Sequence, residues 1–271
     1  MNRLTLFLNK YARLFQVEWS VMLAYRSESL IWMVGAFVQP LISLAVWLTI
    51  SGTGSINGYG AREYILYFLG VLLVERLTRS WDVWELDQDI REGTFSAKLL
   101  RPFHPIHWSV TQNLVYKSFF ALLMVPAWLV LGWLFPVLSP AANLSSVLLF
   151  TLAIIGSSAV RFLTGYMFGL LAFWTNRAIS IFLIYEMAHL LLSGRIAPLS
   201  MYPDGWLEWS LWLPFYATVG FPVELLSGRL SDNPQWIVLG FCSQIVWIAM
   251  LGLALRLQWR AGLKKYGAVG G

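Results

Sequence analysis

Three ionisable residues of this sequence have types and positions that could support chemistry. Arg161, Glu186 and His189 each lie inside a long apolar stretch, and the last two are three residues apart, on one face of a helix. A guanidinium, a carboxylate and an imidazole in such surroundings could transfer protons or bind a polar ligand. We expect Arg161 and Glu186 to approach one another, because an unpaired charge in apolar surroundings is costly.

The rest of the sequence has no convincing motif for a metal site, a bound cofactor or catalysis. His104 and His107 are three residues apart, but the proline between them and the lack of acidic neighbours favour a surface turn over a metal site. The chain has no G-x-x-x-x-G-K-S/T loop to hold phosphates, no H-E-x-x-H motif and no distinctive Ser-His-Asp spacing. Its single cysteine, Cys242, excludes an internal disulfide. We therefore expect no catalytic residue, no metal and no cofactor in this chain.

The composition indicates a chain that is solvated largely by lipid. Of 271 residues, 58% are hydrophobic and 12% are charged, against roughly 25% charged in an ordinary soluble domain. A soluble core of this size could not bury so much apolar surface. The net charge of +5 could suggest nucleic acid, but in a membrane protein basic residues report topology first, so we expect no such partner. The sequence predicts an all-α polytopic membrane protein.

Hydropathy predicts six transmembrane helices within residues 29–260. About 20 apolar residues suffice to cross a bilayer. The uncharged stretch between Lys117 and Arg161 is too long for one helix, and Pro136, Pro140 and Asn143 divide it in two. The predicted spans cover residues 29–50, 64–81, 114–135, 145–173, 178–194 and 233–255.

Besides the short loops, four segments lie outside these spans. Residues 1–28 have an apolar helical arc and predict an interfacial amphipathic helix lying in the membrane surface, although packing on a partner protein would need the same arc. Residues 82–107 form a polar loop, and residues 261–271 form a tail. Residues 195–232, rich in Pro, Trp and Gly, predict a re-entrant segment of short helices on the opposite side.

The distribution of basic residues predicts the orientation. With both termini in the cytoplasm, 15 of the 19 Lys and Arg residues lie on the cytoplasmic side, as expected from the positive-inside rule. Loop residues Gly58 and Asn143 are therefore predicted outside, whereas Ser96 and Gly267 are predicted inside. Three basic residues are left for the outer side: Arg62, Arg195 and Arg229.

The most informative segment is DQDIREGTFSAKLLRPFHP, residues 87–105. Its first half is a dense mixed-charge turn of helix, Gly93 permits a tight break, and two leucines re-enter apolar surroundings before Pro102. A short charged helix of this kind is suited to docking, although a solvated loop would have a similar composition. The residues proposed for docking are Asp87, Asp89, Ile90, Arg91, Glu92, Gly93 and Thr94.

With this segment and three others, the chain resembles the membrane subunits of bacterial type-two ATP-binding-cassette exporters. The resemblance rests on IREGTFSAKLLRP at residues 90–102, LLSGRIAPLSMYP at 191–203, LPFYATVGFPVELLSGRL at 213–230 and GLKKYGAVGG at 262–271. It implies a six-span permease in the bacterial cytoplasmic (inner) membrane. Such a permease pairs with a second, identical or paralogous permease and with two ATPase subunits that bind ATP and Mg.

The resemblance also implies a role for each segment outside the spans. The amino-terminal helix would lie along the cytoplasmic membrane surface, and residues after span 2 would form a coupling helix that docks in the ATPase. The residues after span 5 would form short helices on the outer side. The positive-inside count places all three segments on the same sides independently.

The sequence therefore predicts an export permease, not an enzyme, that moves an amphiphilic or hydrophobic substrate by alternating access. Two alternatives stay open: a membrane enzyme acting on a lipid-linked substrate at Arg161, Glu186 and His189, and a structural subunit without transport. Ordinary helix or lipid packing would use the same aromatic residues as a substrate cavity. The residues predicted to line that cavity, from spans 1, 2 and 5, are Trp32, Phe37, Gln39, Trp47, Tyr67 and Tyr185.

Overall fold

The computed structural model describes residues 3–135, 144–203, 205–231 and 233–267, and in these ranges the chain is all-helical. The predicted all-α class is confirmed for them. Pro136, Pro140 and Asn143 lie outside the described residues. The helices are α1 (Arg3–Ala24), α2 (Arg26–Ser51), α3 (Ala61–Thr78), α4 (Asp82–Glu92), α5 (Phe95–Leu99), α6 (Pro105–Leu134), α7 (Leu144–Leu170), α8 (Ala178–Leu192), α9 (Trp206–Trp212), α10 (Gly220–Leu226) and α11 (Pro234–Lys265).

Among the described residues, four helices are long and apolar enough to cross a membrane: α2, α6, α7 with the short turn after it, and α11. They coincide with predicted spans 1, 3, 4 and 6. Predicted span 5 corresponds to α8, an apolar helix of 15 residues, and predicted span 2 to α3, which has 18 residues and carries charges near both ends. Six crossings therefore stay a prediction, and four are supported by length and composition.

Two long helices extend beyond the bounds that hydropathy predicts. α6 begins at Pro105 rather than at 114, and α11 continues to Lys265 rather than ending at 255. With a rise of about 1.5 Å per residue, α6 is longer than the roughly 30 Å hydrocarbon layer of a bilayer. The extra turns contain polar and basic residues that suit the headgroup region, and a hydropathy threshold leaves them out for that reason.

The histidine pair lies at the start of α6, where the sequence suggested a surface turn. His104 caps the helix, since its Nδ1 accepts a hydrogen bond from the backbone N–H of Ile106 at 3.2 Å, and Pro105 occupies the first helical position. His107 Nδ1 lies 2.6 Å from the hydroxyl of Tyr11 in α1. The described residues contain no group of three or more His, Cys, Asp or Glu that could hold a metal ion.

α1 packs along the first half of α6. Besides the contact of Tyr11 with His107, the ring of Trp19 lies 6.3 Å from the ring of Phe119, centroid to centroid. Part of the aromatic face of α1 is thus buried against its own chain. The location of α1 in the membrane surface stays a prediction.

α7 is the central helix, and α3, α4, α8, α10 and α11 pack around it. Small residues allow this close packing. Ser158 donates a hydrogen bond to the carbonyl of Leu77 at 2.9 Å, and a Cβ at Gly169 would lie only 2.8 Å from the Cβ of Leu86 in α4. α3 and α4, which a short break separates, therefore run against α7 as one continuous surface.

The segment between α8 and α11 contains α9 and α10. α10 is buried, with Phe221 and Val223 at most 1% exposed, and it contacts α3 and α7. α9, in contrast, exposes Trp209 and Trp212, at 73% and 79%. This segment therefore combines one helix inside the helical packing with one on its surface.

Candidate functional site

A cluster of four charges lies where α3, α7 and α8 meet. Nη1 of Arg161 in α7 lies 2.6 Å from Oε1 of Glu75 in α3, and its Nη2 lies 3.9 Å from Oε1 of Glu186 in α8. Arg195, which follows α8, lies 3.6 Å from Glu75 and 3.7 Å from Glu186. Two guanidinium groups and two carboxylates thus alternate, and their formal charges cancel.

Burial makes this pairing necessary. The four side chains are between 5% and 17% exposed, and a charge removed from water in a membrane protein is tolerated when it is paired. Nη1 of Arg161 also donates to Oγ1 of Thr78 at 3.2 Å. The cluster therefore ties three helices and the turn after α8 together.

The sequence pointed to Arg161 and Glu186, and the structure places them within ion-pair distance, but the closest partner of Arg161 is Glu75. Neither Glu75 nor Arg195 was a sequence candidate. Counting basic residues assigns Arg195 to the outer side, whereas its carbonyl accepts a hydrogen bond from Gln39, near the middle of α2. The 15 residues of α8 span only about 22 Å, less than the roughly 30 Å hydrocarbon layer of a bilayer. The short interval between Arg177 and Arg195 is the feature of the sequence that could have predicted a short α8.

His189, the third sequence candidate, is fully buried but makes no ion pair within the described chain. Its Nε2 shares a hydrogen bond of 2.9 Å with Oγ1 of Thr218, in the turn that precedes α10. The structure therefore brings Arg161 and Glu186 together, and it links His189 to the segment between α8 and α11.

The turn after α8 has four successive carbonyls that accept hydrogen bonds from distant parts of the chain. Tyr67 donates its hydroxyl to the carbonyl of Gly194 at 2.8 Å, Gln39 donates to Arg195 at 3.0 Å and Trp47 donates to Ile196 at 2.9 Å. The backbone N–H of Gly220 completes the set on Ser193 at 2.8 Å. Buried backbone carbonyls outside a regular helix require such partners. This set of acceptors, residues 193–196, is called the α8 turn below.

Three of the predicted cavity-lining residues thus hold the α8 turn. Tyr67 in particular is 0% exposed, so in this conformation it faces the turn and not an open cavity. Of the other three, Trp32 is 61% exposed on α2, and Phe37 borders a cavity of about 170 Å³ between α2, α3 and α6. Tyr185 packs among aromatic rings in α8, with its ring 5.9 Å from that of Phe182.

The segment proposed for docking forms α4, a break at Gly93 and α5. Gly93 adopts a left-handed conformation with φ of 76°, which ends α4 and is readily available to glycine. Asp87 pairs with Arg91 at 2.7 Å, and Thr94 donates to Asp89 at 2.9 Å. The exposed side chains of this segment are Gln88, Arg91, Glu92, Thr94, Ala97 and Leu100.

Lys98 in α5 fixes the angle between α4 and α5. Its ammonium lies 2.6 Å from Glu85 and 2.5 Å from Asp89, both in α4. Burial lowers the pKa of the Lys98 ammonium, but hydrogen bonds to Asp89 and Glu85 more than offset this effect. The pKa of Lys98 is therefore raised above its ordinary value, and this side chain stays charged at neutral pH.

The opposite side of the segment is anchored to the long helices. Phe95 is fully buried, and its ring contacts those of Phe173, Trp259 and Tyr266 at 5.8 to 5.9 Å. Ile90 is 5% exposed in the same cluster. Phe95 and Ile90 therefore join the buried side of α4 and α5 to the ends of α7 and α11.

Comparison with known proteins agrees with this architecture. The family model for the ABC-2 family transporter protein matches residues 31–270, which include all helices from α3 to α11 and most of α2. No curated protein and no solved structure matches the chain. The match covers well over half of the sequence and includes the charge cluster, the α8 turn and the docking segment. The chain therefore belongs to the ABC-2 family of membrane transporter proteins.

Proposed function

We propose that this chain is the permease subunit of an ATP-binding-cassette exporter in the bacterial inner membrane. It pairs with a second identical or paralogous permease and with two separate ATPases, which bind ATP and Mg. Both termini and the docking segment are cytoplasmic in this proposal, as the basic residues favour. The cargo is an amphiphilic or hydrophobic molecule taken from the cytoplasm or the inner leaflet.

The observation that carries the proposal is the two-sided construction of α4 and α5. One side is exposed and mostly polar, with Leu100 also exposed, which suits a protein surface, and the other is fixed to α7 and α11 through Phe95. When the ATPases close on ATP, they would draw the two docking segments together. Because each segment is anchored, that motion would reach the spans and shift the pair between inward-open and outward-open states.

In this proposal, the charge cluster lies between helices that move relative to one another. Arg161 lies between two carboxylates on different helices, 2.6 Å from Glu75 and 3.9 Å from Glu186. A small displacement of α8 relative to α3 would exchange the closer partner without leaving a charge unpaired. We propose that the cluster keeps the spans in register while α8 and its turn move.

The two alternatives have less support. For a membrane enzyme at Arg161, Glu186 and His189, the two charged residues are engaged in ion pairs and His189 is bonded to Thr218. A structural subunit without transport would not need an anchored docking surface. In this proposal α2 faces the second permease, and its exposed apolar side chains, such as Ile31, Trp32 and Val34, favour a hydrophobic cargo.

The test is purification of the chain with its ATPase partner. The complex should hydrolyse ATP and carry a fluorescent amphiphile into inverted membrane vesicles, whereas the chain alone should hydrolyse none. A Phe95→Leu variant keeps an apolar residue but loses the ring contacts, so it should assemble and lose most amphiphile-stimulated hydrolysis. Exposed Phe135, replaced by Leu, is the matched control. Full stimulation in Phe95→Leu, or no associated ATPase, would reject the proposal.

A further inference from the structure

A cleft of about 430 Å³ separates α1 from the chain that follows α5. Four basic residues border it: Lys10 and Arg13 from α1, Lys98 from α5 and Arg101 beyond it. The ammonium of Lys98 forms ion pairs with Glu85 and Asp89. Within the described chain, the other three make no ion pair, so the cleft has an excess of positive charge.

The floor of this cleft is apolar. Leu14, Phe103 and Trp108 form much of it, and the guanidinium of Arg101 lies 4.8 Å from the centre of the Trp108 ring. Val17 borders the cleft and is 53% exposed, and Val21, one helical turn further along α1, is 47% exposed. An apolar path thus leads away from the basic rim along one face of α1.

The cleft lies at the start of a candidate membrane span. Pro105 and Trp108 belong to the first turns of α6, which is long and apolar enough to cross a membrane. Tryptophan at the end of a span typically lies at headgroup level. In the proposed orientation this end of α6 is cytoplasmic, on the leaflet whose anionic lipids attract basic segments.

We propose that this cleft binds an anionic phospholipid of the inner leaflet. Its phosphate would lie among Lys10, Arg13 and Arg101, and an acyl chain would follow Leu14, Val17 and Val21. An acidic protein segment would satisfy the cations but not the apolar path toward the membrane. The lipid would join α1 to the chain that follows the docking segment, so ATP turnover would depend on anionic lipid. That consequence rests on the proposed function, whereas the binding site rests on the cleft and the orientation.

The test measures lipid retention by the full-length chain in its complex. Native mass spectrometry would compare phosphatidylglycerol with phosphatidylcholine of identical acyl chains, and phosphatidylglycerol should be retained. Each basic residue near an anionic headgroup contributes about a fivefold gain in affinity, so Arg13→Gln with Arg101→Gln should weaken phosphatidylglycerol binding about 30-fold. Arg13→Lys with Arg101→Lys should restore most of the binding.

The control pair is Arg256→Gln with Arg260→Gln, which removes the same charge from the exposed end of α11, outside the cleft. It should bind phosphatidylglycerol like the wild type. Three results would overturn the site: wild-type retention in the Arg13 and Arg101 double variant, equal retention of both lipids, or displacement by glycerol 3-phosphate alone. Loss of the ATPase subunits with unchanged lipid retention would assign the cleft to a protein partner and also overturn it.

Lipid retention keeps this test separate from the proposed function. If no ATPase accompanies the chain, the transport proposal fails, but selective retention of phosphatidylglycerol still supports the cleft. If the complex hydrolyses ATP at the same rate in both lipids and retains neither, the cleft proposal fails and the transport proposal stands.

Discussion

Individual charges show where sequence reasoning succeeds and where it stops. Arg161 was identifiable because a lone arginine in an apolar stretch requires a partner. Glu75 was not chosen, since it lies near Arg76 and Arg79 and resembles the polar end of a span. The packing of α3 against α7 decides the pairing: Ser158 bonded to Leu77 sets the register that places Glu75 2.6 Å from Arg161.

The unequal distances predict unequal couplings. Breaking a buried ion pair leaves an uncompensated charge, which typically costs about 3–5 kcal/mol. We expect a double-mutant cycle of Arg161→Met with Glu75→Gln to give a coupling energy of about 2 kcal/mol or more, and the cycle with Glu186→Gln to give less than about 1 kcal/mol. The free energy of unfolding in mixed detergent micelles measures both. Equal couplings, or a larger one for Glu186, would contradict the observed geometry.

Tyr67 provides a second test at this scale. Tyr67→Phe removes the donor to the Gly194 carbonyl and leaves that buried acceptor without a partner, which should lower stability by about 1 kcal/mol. Trp32→Phe, at an exposed position on α2, should leave stability within about 0.5 kcal/mol of the wild type. If Tyr67→Phe instead leaves stability unchanged and alters only substrate-stimulated turnover, the original assignment of Tyr67 to the cavity wall is the better one.

At the scale of elements, the helix and the break in the segment proposed for docking could be predicted from the sequence. The charge density of α4 and the break at Gly93 are local features, so short-range reasoning found them. The anchoring of Phe95 was not predictable in the same way, because Trp259 and Tyr266 come from the far end of the chain. The extent of α6 and the shortness of α8 also depend on tertiary contacts and on caps that hydropathy does not measure.

Changes in the docking segment should separate coupling from folding. Glu92 is exposed, so Glu92→Ala should change stability by no more than about 0.5 kcal/mol while strongly reducing substrate-stimulated ATP hydrolysis. Gly93→Pro should reduce substrate-stimulated ATP hydrolysis more than Glu92→Ala does. Proline fixes φ near −65°, whereas Gly93 has φ of 76°, so the break between α4 and α5 would change. Glu208→Ala, at an exposed site on α9, is the control and should retain stimulation. Normal stimulation in both docking variants would remove the segment from coupling.

At the scale of the whole molecule, lipid solvation and family membership followed from composition and from motifs spread along the chain. The four long helices match predicted spans 1, 3, 4 and 6. The hydrogen-bond partners of the α8 turn could not be predicted, because they come from α2, α3 and Gly220 and not from neighbouring residues. Sequence rules treat each span by itself, whereas this turn is a property of the assembled bundle.

The proposed orientation has a direct test. In a Cys242→Ala background, a single cysteine at Gly58 should react with an impermeant thiol reagent from outside intact cells, because this residue is predicted to lie in the outer loop between α2 and α3. Ser96→Cys, in the docking segment, should react only after the membrane is opened. Labelling of Ser96→Cys in intact cells would contradict the proposed orientation. Both the docking segment and the basic cleft would then lie on the outer side of the membrane.

The partners of the α8 turn also impose an order on biogenesis. A ribosome releases α2 and α3 long before residues 193–196 emerge, and Gly220 only afterwards. A nascent chain that ends at the turn therefore still lacks one donor, and it can use the other three only if α2 and α3 remain nearby. Packing of the α8 turn can accordingly be completed only after Gly220 has been synthesised. Crosslinking of Gln39→Cys to Arg195→Cys in stalled nascent chains of increasing length would time that step.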